Sequence, residues 1–117
     1  MDETQINAKI DAYLVAHWDD IVADIDALVR IPSVEELDKA AEGAPYGPGP
    51  REALTAALKM AEGMGLKTCD VQGHIGYADL PGQTDGQIGI IGHMDVVPAG
   101  PGWNTDPFAM ERREGWL

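Results

Sequence analysis

Apolar residues recur every three or four positions through the first thirty residues, a spacing that predicts one amphipathic helix. The stripe consists of Ile6, Ile10, Leu14, Trp18, Val22, Ile25 and Val29. Asp19 and Asp20 are favourable N-cap residues, so the pattern allows a break near His17, which would then lie at a corner. The helix should end before Pro32, because proline removes a donor and disfavours helix at the preceding residue.

Residues 33–49 carry no periodic pattern and are predicted to form a loop. Pro50 suits the first position of a second helix, which should run to about Met64 with an alanine- and leucine-rich face. Alternation then predicts two short strands, at residues 66–71 and 75–80. This order of helices followed by strands is typical of the opening of a three-layer α/β domain with a mixed sheet.

The apolar run at residues 88–91 predicts a further strand, buried on both faces and continuing to Val97. A period of two places His93 and Asp95 on the same side, roughly 7 Å apart along the strand. The Asp95 carboxylate could then accept a hydrogen bond from the imidazole, which is how proteins orient a metal-binding histidine. The competing interpretation is a core histidine, since a lone histidine in an apolar strand is more often structural.

Other polar and aromatic residues have structural explanations that outweigh functional ones. His74 follows a glycine in a tight connection and is expected to be a surface turn residue. The carboxylates of Glu35, Glu36, Asp38 and Glu42 are expected to be solvated, because nothing in the sequence orients them. Trp103 and Phe108 could line a substrate pocket, but anchoring of a Gly/Pro-rich loop is the favoured interpretation.

The composition and the first residues bear on the partners and the cellular location of the protein. A net charge of −12 over 117 residues argues against nucleic acid or an anionic membrane as a partner. The single cysteine excludes an internal disulfide and suits a reducing compartment. The first residues lack the pattern of a signal peptide, and no apolar run approaches the ~20 residues of a membrane span. A cytoplasmic location is therefore expected.

Three segments carry a resemblance to a known family. The principal one, residues 92–108, runs Gly-His-Met-Asp-Val-Val-Pro-Ala-Gly-Pro-Gly-Trp-Asn-Thr-Asp-Pro-Phe, and it is preceded by Arg-Ile-Pro-Ser-Val at 30–34 and Tyr-Gly-Pro-Gly-Pro at 46–50. In this order the segments resemble the M20 family of zinc metallopeptidases, and most closely its bacterial dipeptidase V branch, which includes β-Ala-Xaa and Xaa-His dipeptidases. The similarity covers the chain from about residue 12 onward.

The resemblance implies a site with two zinc ions, for which Mn²⁺ or Co²⁺ could substitute, bridged by an aspartate and a water and served by a glutamate base. His93 matches a zinc ligand and Asp95 the catalytic-site carboxylate that orients it. The other ligands, the base and the lid domain are expected beyond Leu117, where residues 109–117 resemble a strand, a turn and a returning strand. Residues 1–117 would then be the amino-terminal part of the catalytic domain, inactive alone.

Three functions remain open from the sequence. The first is hydrolysis of small peptides by a metallo-dipeptidase, favoured by the short loop between Pro98 and Trp103 and by the Pro/Gly-rich segment 42–50. The second is deacylation or desuccinylation of N-acyl amino acids within the same family. The third is a non-catalytic binding module. The oligomeric state is left open by the sequence.

Overall fold

The computed structural model describes residues 2–117, which form two helices and a two-stranded sheet. Helix α1 spans Glu3–Val29 and helix α2 spans Pro48–Gly63. Strands β1 (Lys67–Val71) and β2 (Ile75–Asp79) follow. The loop between the helices contains one short 3₁₀ turn at Leu37–Lys39. The α/β class predicted from the sequence is confirmed.

Helix α1 begins with a capping box between Asp2 and Gln5. The Gln5 backbone N–H donates to the Asp2 carboxylate at 2.9 Å, and the Asp2 N–H donates to the Gln5 side chain at 3.3 Å. The possible break near His17 is wrong, because the helix is continuous to Val29. Asp19 makes an ion pair with Arg112 at 3.1 Å instead of capping a new helix. The apolar residues keep their helical spacing through this region, and the helix is accordingly continuous.

Helix α2 packs on both strands as well as on α1. It starts at Pro48, two residues earlier than predicted, with a proline still in the first turn. Strands β1 and β2 are antiparallel, pairing Lys67 with Asp79 and Val71 with Ile75. Gly76 permits this packing, since a Cβ there would lie 2.7 Å from a Leu54 methyl. The two predicted strands are confirmed to within one residue at each end.

The prediction of a buried strand at residues 88–97 is wrong. Ile88, Ile90 and Ile91 are 97%, 95% and 99% exposed, and Val96 alone among these residues forms a β-bridge within residues 2–117, with Val34. A strand needs a neighbour to satisfy its backbone and a covering layer to bury its side chains. Here β1 and β2 pair with each other, so the apolar run has neither. The Val34–Val96 bridge is parallel, so antiparallel and parallel pairing both occur.

The end of the described chain forms a tight turn. Arg113 and Trp116 make an antiparallel bridge around Glu114 and Gly115, both of which have positive φ angles of 48° and 85°. This geometry is typical of a two-residue hairpin turn. The predicted turn is confirmed, whereas the flanking strands are reduced to this single bridge.

Little of the chain is buried. The accessible surface is 9450 Å², whereas a folded monomer of this mass would expose about 6,200 Å². Val22 and Ala53 are the buried hydrophobic residues of the described chain. The radius of gyration is 17.3 Å, against about 13 Å for a compact domain of this length. In residues 2–117, no helix combines the length and apolar character that crossing a membrane requires.

Candidate active site

His93 and Asp95 are in contact, although the segment is not a regular strand and the acceptor of the imidazole hydrogen bond is the Asp95 backbone carbonyl rather than the predicted carboxylate. The His93 Nδ1 lies 3.0 Å from the Asp95 backbone oxygen and 3.5 Å from its carboxylate Oδ1. A carbonyl oxygen only accepts, so Nδ1 carries the proton in this hydrogen bond. In the neutral ring Nε2 then has a free lone pair, which is the form in which histidine binds a metal. Both side chains are exposed, by 82% and 65%.

The backbone around His93 is fixed by the residues that follow helix α1. The buried Ser33 hydroxyl donates to the Met94 carbonyl at 2.7 Å, and the Val96 N–H donates to the Ser33 carbonyl at 3.1 Å. Together with the Val34–Val96 bridge, these bonds hold the two segments side by side. The Ser33–Met94 bond joins residues that are 61 positions apart in the chain. Residues 30–34 therefore lie beside residues 92–108.

A cavity of about 350 Å³ opens beside His93 and Asp95. Its other polar walls come from Glu35, from Tyr46 in the segment before helix α2, and from His74 at the start of β2. Pro50, Leu54, Gly73, Ile75, Gly76, Gly92 and Met94 complete the lining. The volume lies within the range of pockets that bind small molecules. Of the three segments that carry the family resemblance, 46–50 and 92–108 line this cavity. The third, 30–34, holds the His93 segment in place through Ser33.

His74 occupies the predicted turn but is more than a surface residue. Its Nδ1 lies 3.0 Å from the Tyr46 hydroxyl, and the two rings meet edge to face with centroids 5.5 Å apart. The contact joins residues 28 positions apart, so no local pattern in the sequence could have revealed it. Tyr46 and His74, together with Glu35, line the cavity without having been predicted to do so.

The turn that carries His74 is held by a small polar network. The Gly73 N–H donates to the Asp70 carboxylate at 2.7 Å, and Asp70 also pairs with Arg51. Arg51 in addition donates to the Gly43 carbonyl at 3.3 Å, which ties the turn to the loop before α2. The Gly73 N–H and then Arg51 hold the pKa of Asp70 below its usual value of 3.8. A Cβ at residue 73 would lie 2.2 Å from the Gly43 carbonyl, so the close approach requires glycine.

The acidic loop residues do not act as a group. Glu36 pairs with Lys39, and Glu42 borders a different cavity, whereas Glu35 is exposed at the mouth of the cavity beside His93. The prediction of solvent exposure therefore holds for Glu35. The prediction did not indicate, however, that Glu35 lines the cavity beside His93.

Trp103 and Phe108 line a second, mainly apolar cavity of about 470 Å³, which is also bordered by residues 93–97. The Trp103 indole N–H donates to the Ala99 carbonyl at 2.9 Å and so closes the Pro/Gly-rich loop on itself. This bond lies within the loop and Trp103 is 57% exposed, so anchoring of the loop onto the domain stays a prediction. A contact with substrate stays untested for both residues.

The residues that the structure describes would provide one metal ligand, His93, and the group that orients it, Asp95. Within residues 2–117, no group of three or more His, Cys, Asp or Glu side chains is close enough to hold a metal ion. Catalytic zinc sites use about three protein ligands. His17 takes no part, since it lies within α1, 3.6 Å from Asp20 and stacked on Tyr13 at 4.2 Å.

Comparison with known proteins agrees with the resemblance carried by these segments. The chain is 45% identical over 96 residues to the β-Ala-Xaa dipeptidase of Lactobacillus delbrueckii. It is 49% identical over 90 residues to a protein of Staphylococcus saprophyticus, and 38% identical over 97 residues to one of Bacillus subtilis, both with provisional dipeptidase names. The chain is homologous to bacterial dipeptidases. The predicted resemblance to this group is confirmed.

These matches cover most of the chain but little of the relatives. They include 82%, 77% and 83% of the chain, against 20%, 19% and 21% of the three relatives. The chain thus spans about a fifth of the length of the curated relatives it matches. No protein-family model matches the chain.

Proposed function

We propose that the chain is the amino-terminal part, residues 1–117, of the catalytic domain of an M20-type metallo-dipeptidase. The observation that carries this proposal is the state of His93, in a chain homologous to dipeptidases. Its Nδ1 is occupied by Asp95 and it lies at the edge of a cavity, so that Nε2 is left for a metal. Zinc is the proposed ion, two per complete enzyme, with Mn²⁺ or Co²⁺ as substitutes.

In this proposal the residues of the chain hold and orient the reacting groups. His93 supplies one imidazole ligand, while Asp95 fixes its tautomer and ring plane through Nδ1. When bound, a pair of zinc ions supplies Lewis acidity toward the scissile amide carbonyl. Ser33 keeps the His93 segment in place through the Met94 carbonyl. The cavity walls restrict the orientation of the substrate, which lowers the entropic part of the barrier.

The remaining parts of the site are proposed to lie outside residues 2–117. These are the bridging aspartate, the glutamate base, the further ligands and the lid domain. The proposed location is the cytoplasm, where the free thiol of Cys69 would stay reduced. The proposed partner is a small peptide substrate, and we propose no nucleic-acid or membrane partner for so acidic a chain.

The proposal is tested with the full-length protein that contains this chain, loaded with zinc or manganese. It should be given a panel of dipeptides, including a β-alanyl dipeptide, together with N-acetyl-ornithine and N-succinyl-diaminopimelate. We expect the best dipeptide to be hydrolysed faster than either acylated amino acid, with activity lost to a chelator and restored by metal. Faster turnover of an acylated amino acid would instead establish a deacylase.

A further inference from the structure

The cavity beside His93 has a marked imbalance of charge. Glu35 and Asp95 contribute two carboxylates to its lining, whereas none of its lining residues is a lysine or an arginine. The side chains on these walls therefore attract a cationic group and offer no cationic partner to a substrate carboxylate. The zinc ions proposed at His93 would add positive charge there, so the attraction for a cationic group is assigned to Glu35 rather than to Asp95, which contacts His93.

The two carboxylates are not equivalent. Asp95 faces the Nδ1 of His93 at 3.5 Å and is therefore engaged with the imidazole. Glu35 has no hydrogen-bond or ion-pair partner for its side chain among residues 2–117. Glu35 is therefore the carboxylate available to a ligand.

The position of Glu35 is set by its neighbours on both sides. Val34 forms the parallel bridge with Val96, and the Glu36 N–H donates to the Tyr46 carbonyl at 3.0 Å. The backbone at residue 35 is thus tied to the His93 segment on one side and to the Tyr46 segment on the other. This double attachment fixes the backbone at residue 35 beside both segments that line the cavity.

Tyr46 adds an independent feature that favours a cation. Its ring lines the same cavity and is held edge to face against His74. The electron-rich face of an aromatic ring attracts an ammonium group. The hydroxyl is occupied by the His74 Nδ1 at 3.0 Å, which keeps the ring in place without adding a positive charge when His74 is neutral.

We infer that this cavity binds the free amino group of the substrate, with the Glu35 carboxylate as its counter-ion and the Tyr46 ring as a wall. The inference rests on the proposed dipeptidase function and extends it, because it assigns the end of the peptide that this part of the protein recognises. A free amino group distinguishes a dipeptide from an N-acyl amino acid. Glu35 therefore acts as a specificity residue.

The test compares Glu35→Gln with Glu36→Gln in the full-length protein. The two substitutions remove the same charge from the same loop, but Glu36 pairs with Lys39 and does not line the cavity. Each variant is assayed with a free dipeptide and with its N-acetyl form. Metal content and thermal unfolding are measured alongside to show that the site and the fold are intact.

We expect Glu35→Gln to raise KM for the free dipeptide by about tenfold, the scale of one hydrogen bond to a charged group, with kcat within about twofold. Its constants for the N-acetyl form should not change, and Glu36→Gln should match the wild type. The binding of the free dipeptide to the metal-free protein, measured by calorimetry, should weaken by the same factor in Glu35→Gln.

Unchanged KM in Glu35→Gln, in a protein that does hydrolyse dipeptides, would overturn this inference and leave the proposed function standing. An equal rise in KM for the N-acetyl dipeptide would also overturn it, because that form carries no ammonium group. Preferred turnover of acylated amino acids by the wild type would overturn the proposed function and this inference together.

Discussion

At the scale of single residues, the contact between His93 and Asp95 sets the orientation of the proposed metal ligand. The imidazole is closer to the backbone oxygen of Asp95, at 3.0 Å, than to its carboxylate, at 3.5 Å. The carbonyl alone can therefore keep the proton on Nδ1. The carboxylate, 3.5 Å from the same nitrogen, adds a second contact that limits rotation of the ring.

Because the backbone carbonyl of Asp95, as well as its carboxylate, contacts His93, we expect Asp95→Ala to have a moderate effect on metal affinity and kcat in the full-length protein. Loss of a group that orients a metal ligand costs about 10- to 100-fold in affinity or activity. We expect a value near the lower end, about tenfold, because the backbone hydrogen bond to His93 remains. Metal affinity measured with a competing chelator, together with kcat, checks the prediction.

The matched control is Asp85→Ala, which removes an exposed aspartate from the turn that precedes the same segment. It should leave metal affinity and kcat unchanged. If Asp95→Ala also behaves as the wild type in both measurements, the orienting role of the carboxylate is wrong.

At the scale of elements, the turn between β1 and β2 positions His74 by docking on the loop before α2. Asp70 accepts from the Gly73 N–H and pairs with Arg51, and these contacts hold its pKa below 3.8. A carboxyl with a lowered pKa in the folded state stabilises the fold above its unfolded value, near pH 4. That contribution is lost as the pH falls through the lowered value.

Asp70→Asn should therefore destabilise the full-length protein at neutral pH, and its difference from the wild type should shrink as the pH falls from about 5 to 3. Urea unfolding at several pH values measures this difference. Asp79→Asn removes a carboxylate from the end of β2 without touching the turn, and it should show a smaller difference. A difference for Asp70→Asn that is constant across this range would contradict the assigned contacts.

The elements also show what the sequence could predict. Helices α1 and α2 and the β1–β2 hairpin depend on local spacing and turn residues, and the sequence predicts them with small errors at their ends, apart from the break near His17 that α1 does not show. The strand at residues 88–97 was wrong because a buried strand depends on neighbours that local spacing does not specify. The contact of His93 with Asp95 was predictable, since the two residues are close in the chain.

The walls of the cavity could not be predicted in the same way. Glu35 and Tyr46 reach it through the pairing of residues 33–36 with two separate segments, and His74 through a contact 28 positions away. Such contacts depend on the packing of α2 against the hairpin. Sequence reasoning therefore singles out the proposed metal ligand but not the residues proposed to recognise the substrate.

At the scale of the whole molecule, the chain exposes far more apolar surface than a compact domain does. Ile88, Ile90 and Ile91 are almost fully exposed, and the total surface is 9450 Å². We propose that the rest of the catalytic domain, in a protein as long as the relatives, covers this apolar run. The same segments would bring the missing metal ligands to His93.

The metal content of the full-length protein, measured by atomic absorption after dialysis with zinc, tests most directly whether His93 is a metal ligand. We expect two tightly bound ions per chain in the wild type and one in His93→Ala. His17→Ala, which alters an exposed histidine within α1, should retain both ions. Equal metal content in His93→Ala and the wild type would contradict the assignment of His93 as a metal ligand.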